Sequence, residues 1–499
     1  MSALMFLTKL LTRDTLQEMT PENLEVTVRR SSRNGLAPKR LQYSPEHETP
    51  KKRRVRARSP RWGRTEGYGR LSAYELERLE NIRQNQAFLS TAASQVSLAF
   101  LFFSFFLSGY VTHYSCLLAF KSSPAKKPSG PLPMDPVNVE EGSKLPPQLL
   151  ELCSEVRVNE QTSALMSEHR YHSSLKNMKV NEDKVAKVVK DRIFSAAFHP
   201  CTSSLLLAAG DKWGKVGLWK LGGDWGDDGV LLFEPHTRPV GCMAFSKSHP
   251  TQLLSLSYDG SLRCMDVEKA VFDDVYDIED GLKTFDFMSH DCSTLVVGNW
   301  YGEVAIVDRR TPGNSHESLH TLDPKTLRCV NVHPLQKQYF VVAESKVVSI
   351  YDSRNLKKTK SQAVSQLHGH SLSISSAYFS PCTGNRVLTS CMDNNIRIYD
   401  TSTLTTKSPL LTTIRHDMHT GRWLTKLSAV WDPKQEDCFV VGSMMKPRRV
   451  QVFHESGQLQ HSFMDSENLS TVLSVTAFHP TRNALLGGNA SGRLHVFSD

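Results

Sequence analysis

Residues 368–400 read HGHSLSISSAYFSPCTGNRVLTSCMDNNIRIYD and combine three short apolar runs with two polar turns. The runs cover residues 374–379, 386–391 and 396–399, and the segments between them are rich in Pro, Gly, Asn and Asp. Runs of this length, bounded by such residues, are typical of strands joined by turns. The segment therefore predicts an antiparallel meander of three strands.

The end of this meander recurs along the chain. A large apolar residue closes the last run of each repeat, at Trp219, Met265, Val307, Tyr351, Tyr399, Phe453 and Phe497. The intervals are 46, 42, 44, 48, 54 and 44 residues. Five of these six lie within a few residues of the period of about 40–45 of one propeller blade. The Gly369-His370 start and the Tyr399-Asp400 end resemble a WD40 repeat. The sequence thus predicts an all-β fold, a seven-bladed WD40 β-propeller over residues 180–499.

A ring of blades needs a closing strand. The third strand of the seventh repeat ends at Asp499, so its blade lacks a fourth strand, and an unpaired edge would remain. Residues 185–189, Val-Ala-Lys-Val-Val, are short and β-branched. We expect them to pair there and close the ring; the alternative is a plain linker.

The N-terminal region is predicted to be a basic, largely disordered tail over residues 1–70. Residues 29–70 hold fourteen Lys or Arg and three Glu, a net charge of +11 against +9 for the whole chain. Such composition favours disorder. It contains a nuclear-import cluster at Lys51, Lys52, Arg53, Arg54, Arg56 and Arg58. We expect a nuclear protein whose tail can also hold DNA phosphates without sequence specificity.

Three segments lie between the tail and the propeller. Residues 71–90 predict an amphipathic helix, residues 91–145 an apolar insertion and linker, and residues 146–179 a lead-in that starts a short helix near Leu145. Within the insertion, residues 96–120 are long and apolar enough to span a bilayer. An isoform insertion, a gene-model error and a membrane span all fit; beside an import cluster, membrane association is the least favoured.

No catalytic arrangement stands out in the sequence. The chain has no G-x-S-x-G, H-E-x-x-H or phosphate-cradling glycine loop, and none of its ten cysteines forms a C-x-x-C pair. We therefore expect no enzyme, no cofactor, no metal and no small-molecule substrate. Asp259 and Asp393 lie six residues before a strand end, where a turn aspartate stabilises a WD40 blade, and His370 is expected to join Asp393 in such a network. The other repeats lack this aspartate, so we expect mainly apolar packing to hold them.

The loops carry the residues suited to binding. Gly421, Arg422 and Trp423 form a Gly-Arg-Trp tip before the sixth repeat. Arginine binds phosphate or a guanine edge, and indole stacks on a base or fills the gap left by one. The alternative is a tryptophan packed on the rim beside a solvated arginine.

Several motifs make a resemblance specific. They include KDRIFSAAFHP (190–200), GDKWG (210–214), LSYDGSLRC (256–264), HTGRWL (419–424) and WDPKQEDCFVVGSM (431–444). Together they resemble the WD-repeat family that includes the small subunit of the damaged-DNA-binding complex. The resemblance covers about residues 66–90 and 145–499.

This resemblance implies that one propeller face grips double-stranded DNA. The relative's hairpin tip is similar in place to residues 421–423, although its aromatic-amide-imidazole chemistry is not kept. Its phosphate-binding positions fall on Arg192, Lys212 and the neighbourhood of Lys325. From chemistry we add Trp213, Arg238, Lys446 and Arg448, so the candidate DNA-binding set is Arg192, Lys212, Trp213, Arg238, Lys325, Arg422, Trp423, Lys446 and Arg448. The implied ligand is modified cytosine, 5-hydroxymethylcytosine, or damaged DNA.

A second signature concerns the other face. A strand end of the form aromatic-Asp-x-Arg marks propellers that dock on the large damaged-DNA-binding subunit, the adaptor of cullin-4 ubiquitin ligases. The matching residues are Asp308, Arg310, Tyr351, Asp352 and Arg354. The resemblance thus implies a ligase substrate receptor in the DNA damage response; alternatively, the Asp-Arg pairs only stabilise their blades. A different class of protein also fits, a peptide-binding scaffold with DNA affinity only through its tail.

Overall fold

Seven antiparallel sheets form the blades of a β-propeller in the part of the chain that the structure describes. The computed structural model describes residues 127–139, 145–155, 167–311, 313–322 and 326–499. The predicted tail with its import cluster, the helix over residues 71–90 and the apolar run 96–120 lie outside the described residues, as does Lys325. No helix within the described ranges is long and apolar enough to cross a membrane.

The first four blades follow one another along the chain. Blade 1 contains β3 (Ile193–Phe198), β4 (Leu206–Asp211), β5 (Val216–Lys220) and β6 (Val230–Phe233). Blade 2 contains β7 (Val240–Phe245), β8 (Gln252–Ser257), β9 (Ser261–Asp266) and β10 (Val271–Asp277), with β1 (Leu132–Pro133) at its outer edge. Blade 3 contains β11 (Leu282–Phe287), β12 (Thr294–Asn299), β13 (Glu303–Asp308) and β14 (Ser318–Thr321). Blade 4 contains β15 (Leu327–Val332), β16 (Tyr339–Glu344), β17 (Val348–Asp352) and β18 (Ser365–Leu367).

The last three blades complete the ring. Blade 5 contains β19 (Ile374–Phe379), β20 (Arg386–Cys391), β21 (Asn395–Asp400) and β22 (Leu410–Arg415). Blade 6 contains β23 (Val430–Asp432), β24 (Gln435–Gly442), β25 (Val450–His454) and β26 (Leu459–Phe463). Blade 7 contains β27 (Val475–Phe478), β28 (Ala484–Gly488), β29 (Arg493–Ser498) and β2 (Val185–Lys187). This confirms the predicted all-β, seven-bladed WD40 propeller.

The core lies between neighbouring blades. Seven apolar clusters are buried, one at each of the seven blade interfaces. The apolar residues that revealed the repeat are all buried in the third strands, from Met265 and Val307 at 0% exposure to Phe453 at 8%. Burial on both faces of a sheet explains why these strands read as continuous apolar runs rather than as alternating ones.

The predicted closing strand is confirmed. β2 pairs antiparallel with β29, with Val185 opposite His495 and Lys187 opposite Arg493. Upstream, the backbone of Lys179 exchanges hydrogen bonds with Ser498 over N–O distances of 3.0 and 3.2 Å. The chain segment before the first blade thus supplies the outer strand of the last one, which leaves no open edge at the seam.

Two helices precede the first blade. The predicted lead-in helix is present as α1 (Pro147–Ser154), which buries Leu149, Leu152 and Cys153 against blades 1 and 2. α2 (Glu168–Asn177) was not predicted. Its Tyr171 donates a hydrogen bond to the Asp432 carboxylate over 3.0 Å. Two short 3-10 turns cover Glu182–Lys184 and Ser353–Asn355.

Residues 127–139 differ from the linker that the sequence predicts. β1 pairs with β10 at the edge of blade 2, and Met134 is buried. The Asn138 side chain donates to the carbonyl of Val230 and accepts from the amide of Leu232, both over 2.9 Å, at the edge of blade 1. Composition rich in Pro, Gly and Lys indicates a linker, but these hydrogen bonds come from strands more than 90 residues away.

The polar turns are more widespread than expected. Asp259 accepts hydrogen bonds from the amides of Thr237 and Ser261, as predicted for a turn aspartate. The expected His370–Asp393 network is only partly present. The His370 ring forms a hydrogen bond with the Thr389 hydroxyl over 2.9 Å, while the Asp393 carboxylate accepts hydrogen bonds from Arg397.

In blades 1, 3 and 7 a different side chain caps the turn after the second strand. The side chains of Asp211, Asn299 and Asn489 each accept two backbone amides, from two and four residues ahead. These repeats therefore have polar caps in addition to the apolar packing that the sequence predicts as their main support. The signal in the sequence was an Asp or Asn three residues before Gly214, Gly302 or Gly492, each of which has a positive φ.

Candidate nucleic-acid interface

Antiparallel blades send alternate connections to opposite ends of the ring. We call the upper face the one formed by the turns after β4, β8, β12, β16, β20, β24 and β28 and by the connections that lead into the innermost strands. The lower face is formed by the turns after the innermost strands and by the connections after the third strands. The described candidate DNA-binding residues all lie on upper-face connections, namely Arg192, Lys212, Trp213, Arg238, Arg422, Trp423, Lys446 and Arg448.

The candidate docking residues lie at the other end. Asp308 and Asp352 end β13 and β17, and Arg310 and Arg354 follow them on the lower face. Each arginine donates two hydrogen bonds from Nε and Nη2 to the aspartate two residues before it, over 2.7–3.0 Å. Tyr351 is only 1% exposed, so its side chain belongs to the core and is not available to a partner.

The Gly-Arg-Trp tip is an exposed feature of the upper face. Trp423 is 86% exposed, so the alternative of a tryptophan packed on the rim does not hold. Gly421 adopts a φ of +64° with open space around its Cα, which suits a sharp turn. The loop is nevertheless anchored, because Arg192 donates to the carbonyl of Arg422 over 2.7 Å and Thr425 donates to the carbonyl of Ile193. It therefore reaches from blade 6 to blade 1.

Residues of blade 1 complete the cluster around this tip. The Trp213 indole donates to Asp191 over 2.8 Å, and the Lys212 ammonium lies 4.5 Å from the centre of the Trp213 ring. Burial alone would raise the pKa of Asp191, but hydrogen bonds from the Arg192 amide and Trp213 outweigh it and lower that pKa. Asp191 is thus a charged anchor that orients the exposed indole of Trp213 beside the Lys212 ammonium.

The remaining candidates are separate from this cluster. Arg238 lies on the connection from blade 1 into blade 2 and donates to Asp280, between blades 2 and 3, over 3.3 Å, so part of its charge is already neutralised. Lys446 and Arg448 lie on the turn of blade 6, and Arg448 donates to the carbonyl of Met444 over 2.8 Å. The structure therefore brings together Arg192, Lys212, Trp213, Arg422 and Trp423.

The sequence did not indicate a set of irregular positions at the upper mouth of the central channel, which the innermost strands of the seven blades surround. In each of blades 1 to 5 the innermost strand has a β-bulge after its first residue. The bulged residues are Phe194, Gly241, Lys283, Arg328 and Ser375. Bulges aim a side chain away from the regular ladder, here at the upper end of the innermost strands. The available signal was the repeated buried apolar residue before each position, as in Leu282-Lys283 and Leu327-Arg328.

Three cations converge at this mouth. Lys283 and Arg328 are bulge residues, and Lys426 enters from the loop that carries Trp423. Among the described residues, no carboxylate pairs with any of the three. Burial lowers the pKa of Arg328, and its Nε is buried without a hydrogen-bond partner. We name Lys283, Arg328 and Lys426 the channel-mouth triad.

Aromatic rings border the triad on one side. Lys283 donates to the Tyr258 hydroxyl, and its ammonium lies 4.4 Å from the centre of the Tyr258 ring. Tyr258 packs against Trp300 with ring centres 4.7 Å apart and meets Phe194 edge-on at 6.0 Å. Cations beside aromatic faces are suited to ligands that combine negative charge with a flat ring.

The protonation of Lys426 provides a test of the electrostatic interaction among the three cations of the triad. Its side chain is exposed to solvent. Burial, followed by the charges of Arg328 and Lys283, lowers the pKa of Lys426 to about 8. Lys426 is therefore charged below about pH 8 and neutral above it. Acylation followed by mass spectrometry across a pH series should show half-maximal labelling of Lys426 near pH 8, well below the value of about 10.4 for a free lysine side chain.

The variant Lys283→Met supplies the control for this titration. It removes one like charge, so the midpoint for Lys426 should move up toward the ordinary lysine range. The exposed Lys407 in the same sample serves as an internal reference for the reactivity of the acylating reagent. If the labelling midpoint of Lys426 in the wild type equals that of free lysine, then Lys283 and Arg328 do not affect the protonation of the Lys426 ammonium.

The cysteines and possible metal ligands add no second site. None of the nine described cysteines is in a disulfide bond, and Cys382 is the exposed one among them. Burial raises the pKa of the Cys242 thiol to about 12 and that of the Cys264 thiol to about 11, which disfavours the reactive thiolate. Among the described residues, no group of three or more His, Cys, Asp or Glu has a metal-holding arrangement.

Comparison with known proteins agrees with this architecture. The family described as WD domain, G-beta repeat matches residues 229–266 and 361–400, the repeats of blades 2 and 5 that carry the turn aspartates. The chain is 51% identical over 379 residues to WD repeat-containing protein 76 from Xenopus laevis, a match that covers 75% of this chain and 65% of that protein. The protein of the same name from Mus musculus is 50% identical over 374 residues, with 74% and 60% covered.

More distant relatives carry a different name. The DNA damage-binding protein CMR1 from Scheffersomyces stipitis is 28% identical over 339 residues, which covers 62% of this chain and 65% of that protein. The chain spans 59% to 65% of the length of the vertebrate relatives it matches. From the seven repeats, the fold and these similarities, the chain belongs to the WD-repeat family, in which it is similar to WD repeat-containing protein 76 and related to the CMR1 proteins.

Proposed function

We propose that this chain is a nuclear DNA-binding protein that reads modified cytosine, 5-hydroxymethylcytosine, or damaged DNA. Its upper face holds the double strand, and its lower face docks on the large damaged-DNA-binding subunit of a cullin-4 ubiquitin ligase. The proposal rests mainly on one observation. Basic and aromatic side chains from distant parts of the chain, Arg192, Lys212, Trp213, Arg422 and Trp423, gather on one face.

The chemistry of this cluster suits a damaged or modified duplex. Arg192, Lys212 and Arg422 supply positive charge for backbone phosphates, which positions the DNA without reading its sequence. Trp423 projects from the tip with 86% of its surface exposed. An exposed indole on an anchored loop can enter a weakened base step or stack on an extruded base. The loop anchor reduces the ordering that binding would otherwise require.

Two further observations support a role in DNA transactions. The related fungal proteins are named DNA damage-binding proteins. The basic cluster from Lys51 to Arg58 fits nuclear import and lies outside the described residues. The paired Asp–Arg ends of β13 and β17 present their guanidinium groups on the lower face, so a ligase adaptor and DNA would not compete for one surface.

A binding experiment with the full chain tests the reader function. Affinity is measured for unmodified, 5-hydroxymethylcytosine-containing and UV-damaged duplexes across a salt series. The double variant Arg422→Ala/Trp423→Ala should lose discrimination between these duplexes. Its log–log salt slope should fall by about 0.9 for the one phosphate contact removed. Lys407→Ala, an exposed change outside the upper-face loops, is the matched control and should leave both quantities unchanged.

The scaffold alternative makes the opposite prediction. The fourteen Lys and Arg of residues 29–70 give the tail a strong electrostatic affinity for any DNA. A variant with Gln at Lys51, Lys52, Arg53, Arg54, Arg56 and Arg58 separates the two contributions. If this variant loses all binding while Arg422→Ala/Trp423→Ala retains it, the propeller is a protein-interaction scaffold and the reader function is refuted.

A further inference from the structure

We infer that the channel-mouth triad of Lys283, Arg328 and Lys426 is a binding site for a phosphate monoester, and that its ligand is the terminal phosphate of a DNA strand end. This inference rests on the proposed DNA-binding function and adds a second contact to it. The side chains come from blades 3 and 4 and from the connection into blade 6, so the site exists only in the folded ring.

The balance of charge indicates an anionic ligand. Lys283 and Arg328 are bulge residues of neighbouring blades, and their charges act on Lys426. No described carboxylate pairs with any of the three. Burial and then the charges of Arg328 and Lys283 lower the pKa of Lys426, so the three cations repel one another. Such an arrangement is unfavourable for the empty protein and is relieved by a bound anion. A phosphate monoester carries a charge of about −1.5 to −2 at pH 7 and matches three cations better than a singly charged diester.

The shape of the site separates monoesters from diesters. The Nε of Arg328 is buried, whereas Trp423 on the neighbouring loop is 86% exposed. A duplex that rests on the exposed loop tip holds its backbone phosphates between two sugars and cannot lower them into a recess. A terminal phosphate is attached through one oxygen only and can enter end-on.

The aromatic border favours a nucleotide as the carrier of that phosphate. Tyr258 packs against Trp300, whose indole is 38% exposed, and Phe194 lies beside them. Bases stack on such rings without regard to sequence. A phosphorylated serine would offer the same phosphate but no ring for this surface.

The site lies next to the proposed reader loop. Lys426 follows Thr425, which anchors the loop to blade 1 through the carbonyl of Ile193. One bound DNA molecule can therefore contact Trp423 and place its nearest end at the triad. The predicted specificity is for DNA that carries a break, in addition to any mark or lesion on its bases.

The test compares DNA with and without phosphorylated ends on the full chain. Duplexes that end in a 5′-phosphate or a 3′-phosphate are compared with hydroxyl-ended duplexes and with a dumbbell closed by a hairpin at each end. The wild type should prefer at least one type of phosphorylated end by about tenfold, the effect of one or two charged hydrogen bonds. The triple variant Lys283→Met/Arg328→Gln/Lys426→Met should lose that preference and keep its affinity for the dumbbell.

Controls distinguish this site from the reader function. Arg422→Ala/Trp423→Ala should weaken dumbbell binding and keep the preference for phosphorylated ends. Lys407→Met removes one exposed charge and should change neither the affinity for the dumbbell nor the preference for phosphorylated ends. Lys426→Met alone, at an accessible side chain, should reduce the preference even if the triple variant folds poorly.

Three results would overturn the inference. They are equal affinity of the wild type for phosphorylated and hydroxyl ends, a preference that survives in Lys426→Met and the triple variant, and competition by a phosphoserine peptide at lower concentration than a phosphorylated oligonucleotide. The last result would assign the triad to a protein partner. Loss of dumbbell binding by the wild type, with a retained end preference, would instead refute the proposed reader function alone.

Discussion

Asp393→Ala is expected to lower the free energy of unfolding by about 3–5 kcal/mol, the usual effect of removing one partner from a buried ion pair. Arg397 donates to both carboxylate oxygens of Asp393 over 3.1 and 2.8 Å, and the two side chains are 9% and 6% exposed. The same carboxylate accepts the amide and hydroxyl of Ser371. Truncation leaves a guanidinium buried inside blade 5 with no counter-charge.

Chemical denaturation followed by tryptophan fluorescence measures this loss. Asp400→Ala is the matched control, since it removes a carboxylate from the same blade. Its partner Arg386 is 29% exposed and Asp400 30%, so this pair should contribute less than about 1 kcal/mol. Equal effects of the two changes would show that Arg397 finds water when its partner is removed.

The pH dependence of stability provides a second readout of the same pair. Burial alone would raise the pKa of Asp393, but the hydrogen bonds and charge of Arg397 outweigh it and lower that pKa. The contribution of Asp393 is therefore fully present above the ordinary aspartate pKa of about 3.9 and is lost as the pH falls toward the lowered value. Asp393→Ala should flatten this acid part of the stability profile more than Asp400→Ala does. The pKa of Asp400 is lowered as well, by hydrogen bonds from Ser402 and by the charge of Arg386, so the control should show a smaller flattening.

Charge reversal on the lower face, Arg310→Glu/Arg354→Glu, is expected to weaken binding to the large damaged-DNA-binding subunit by about a hundredfold or more. Both guanidinium groups are fixed by an aspartate, while their side chains stay 68% and 64% exposed. Pre-oriented arginines are frequent hot spots, and reversal adds repulsion to the loss of contact. Surface plasmon resonance with the immobilised subunit measures the change.

This prediction is specific to one face of the propeller. DNA affinity should remain at the wild-type level, because the upper-face loops are untouched. Lys357→Glu reverses an exposed charge on the same lower-face connection and should have little effect. Unchanged capture of the subunit by the arginine variant would leave the Asp–Arg pairs with a role in blade stability only.

Much of the fold could be read from local patterns. The last but one residue of each third strand is apolar, and burial between two blades favours that residue type at that position in every repeat. The closing strand was predictable for a similar reason, since a β-branched segment stood at the place where one edge lacked a partner. Even the sharing of one face by the candidate DNA-binding residues follows from strand order, because antiparallel strands alternate the ends from which their connections leave.

The same reasoning failed where a residue depends on partners from another repeat. Tyr351 matched a docking motif, yet it is buried between blades 3 and 4. Residues 127–139 have the composition of a linker, yet they pair with the edges of blades 1 and 2. Local propensity does not determine where these residues lie, since distant strands supply the partners that they pack against or pair with.

The sequence alone therefore established the repeat, the number of blades, the seam and the charge of the tail, because each depends on residues near one another or on a regular period. The anchored tip and the channel-mouth triad depend instead on how the ring closes. Arg192 meets Arg422 across 230 positions of chain, and Lys283, Arg328 and Lys426 converge only because five bulged innermost strands surround one channel. Closure of the ring brings these separate charges together in one site, and no local sequence pattern predicts that.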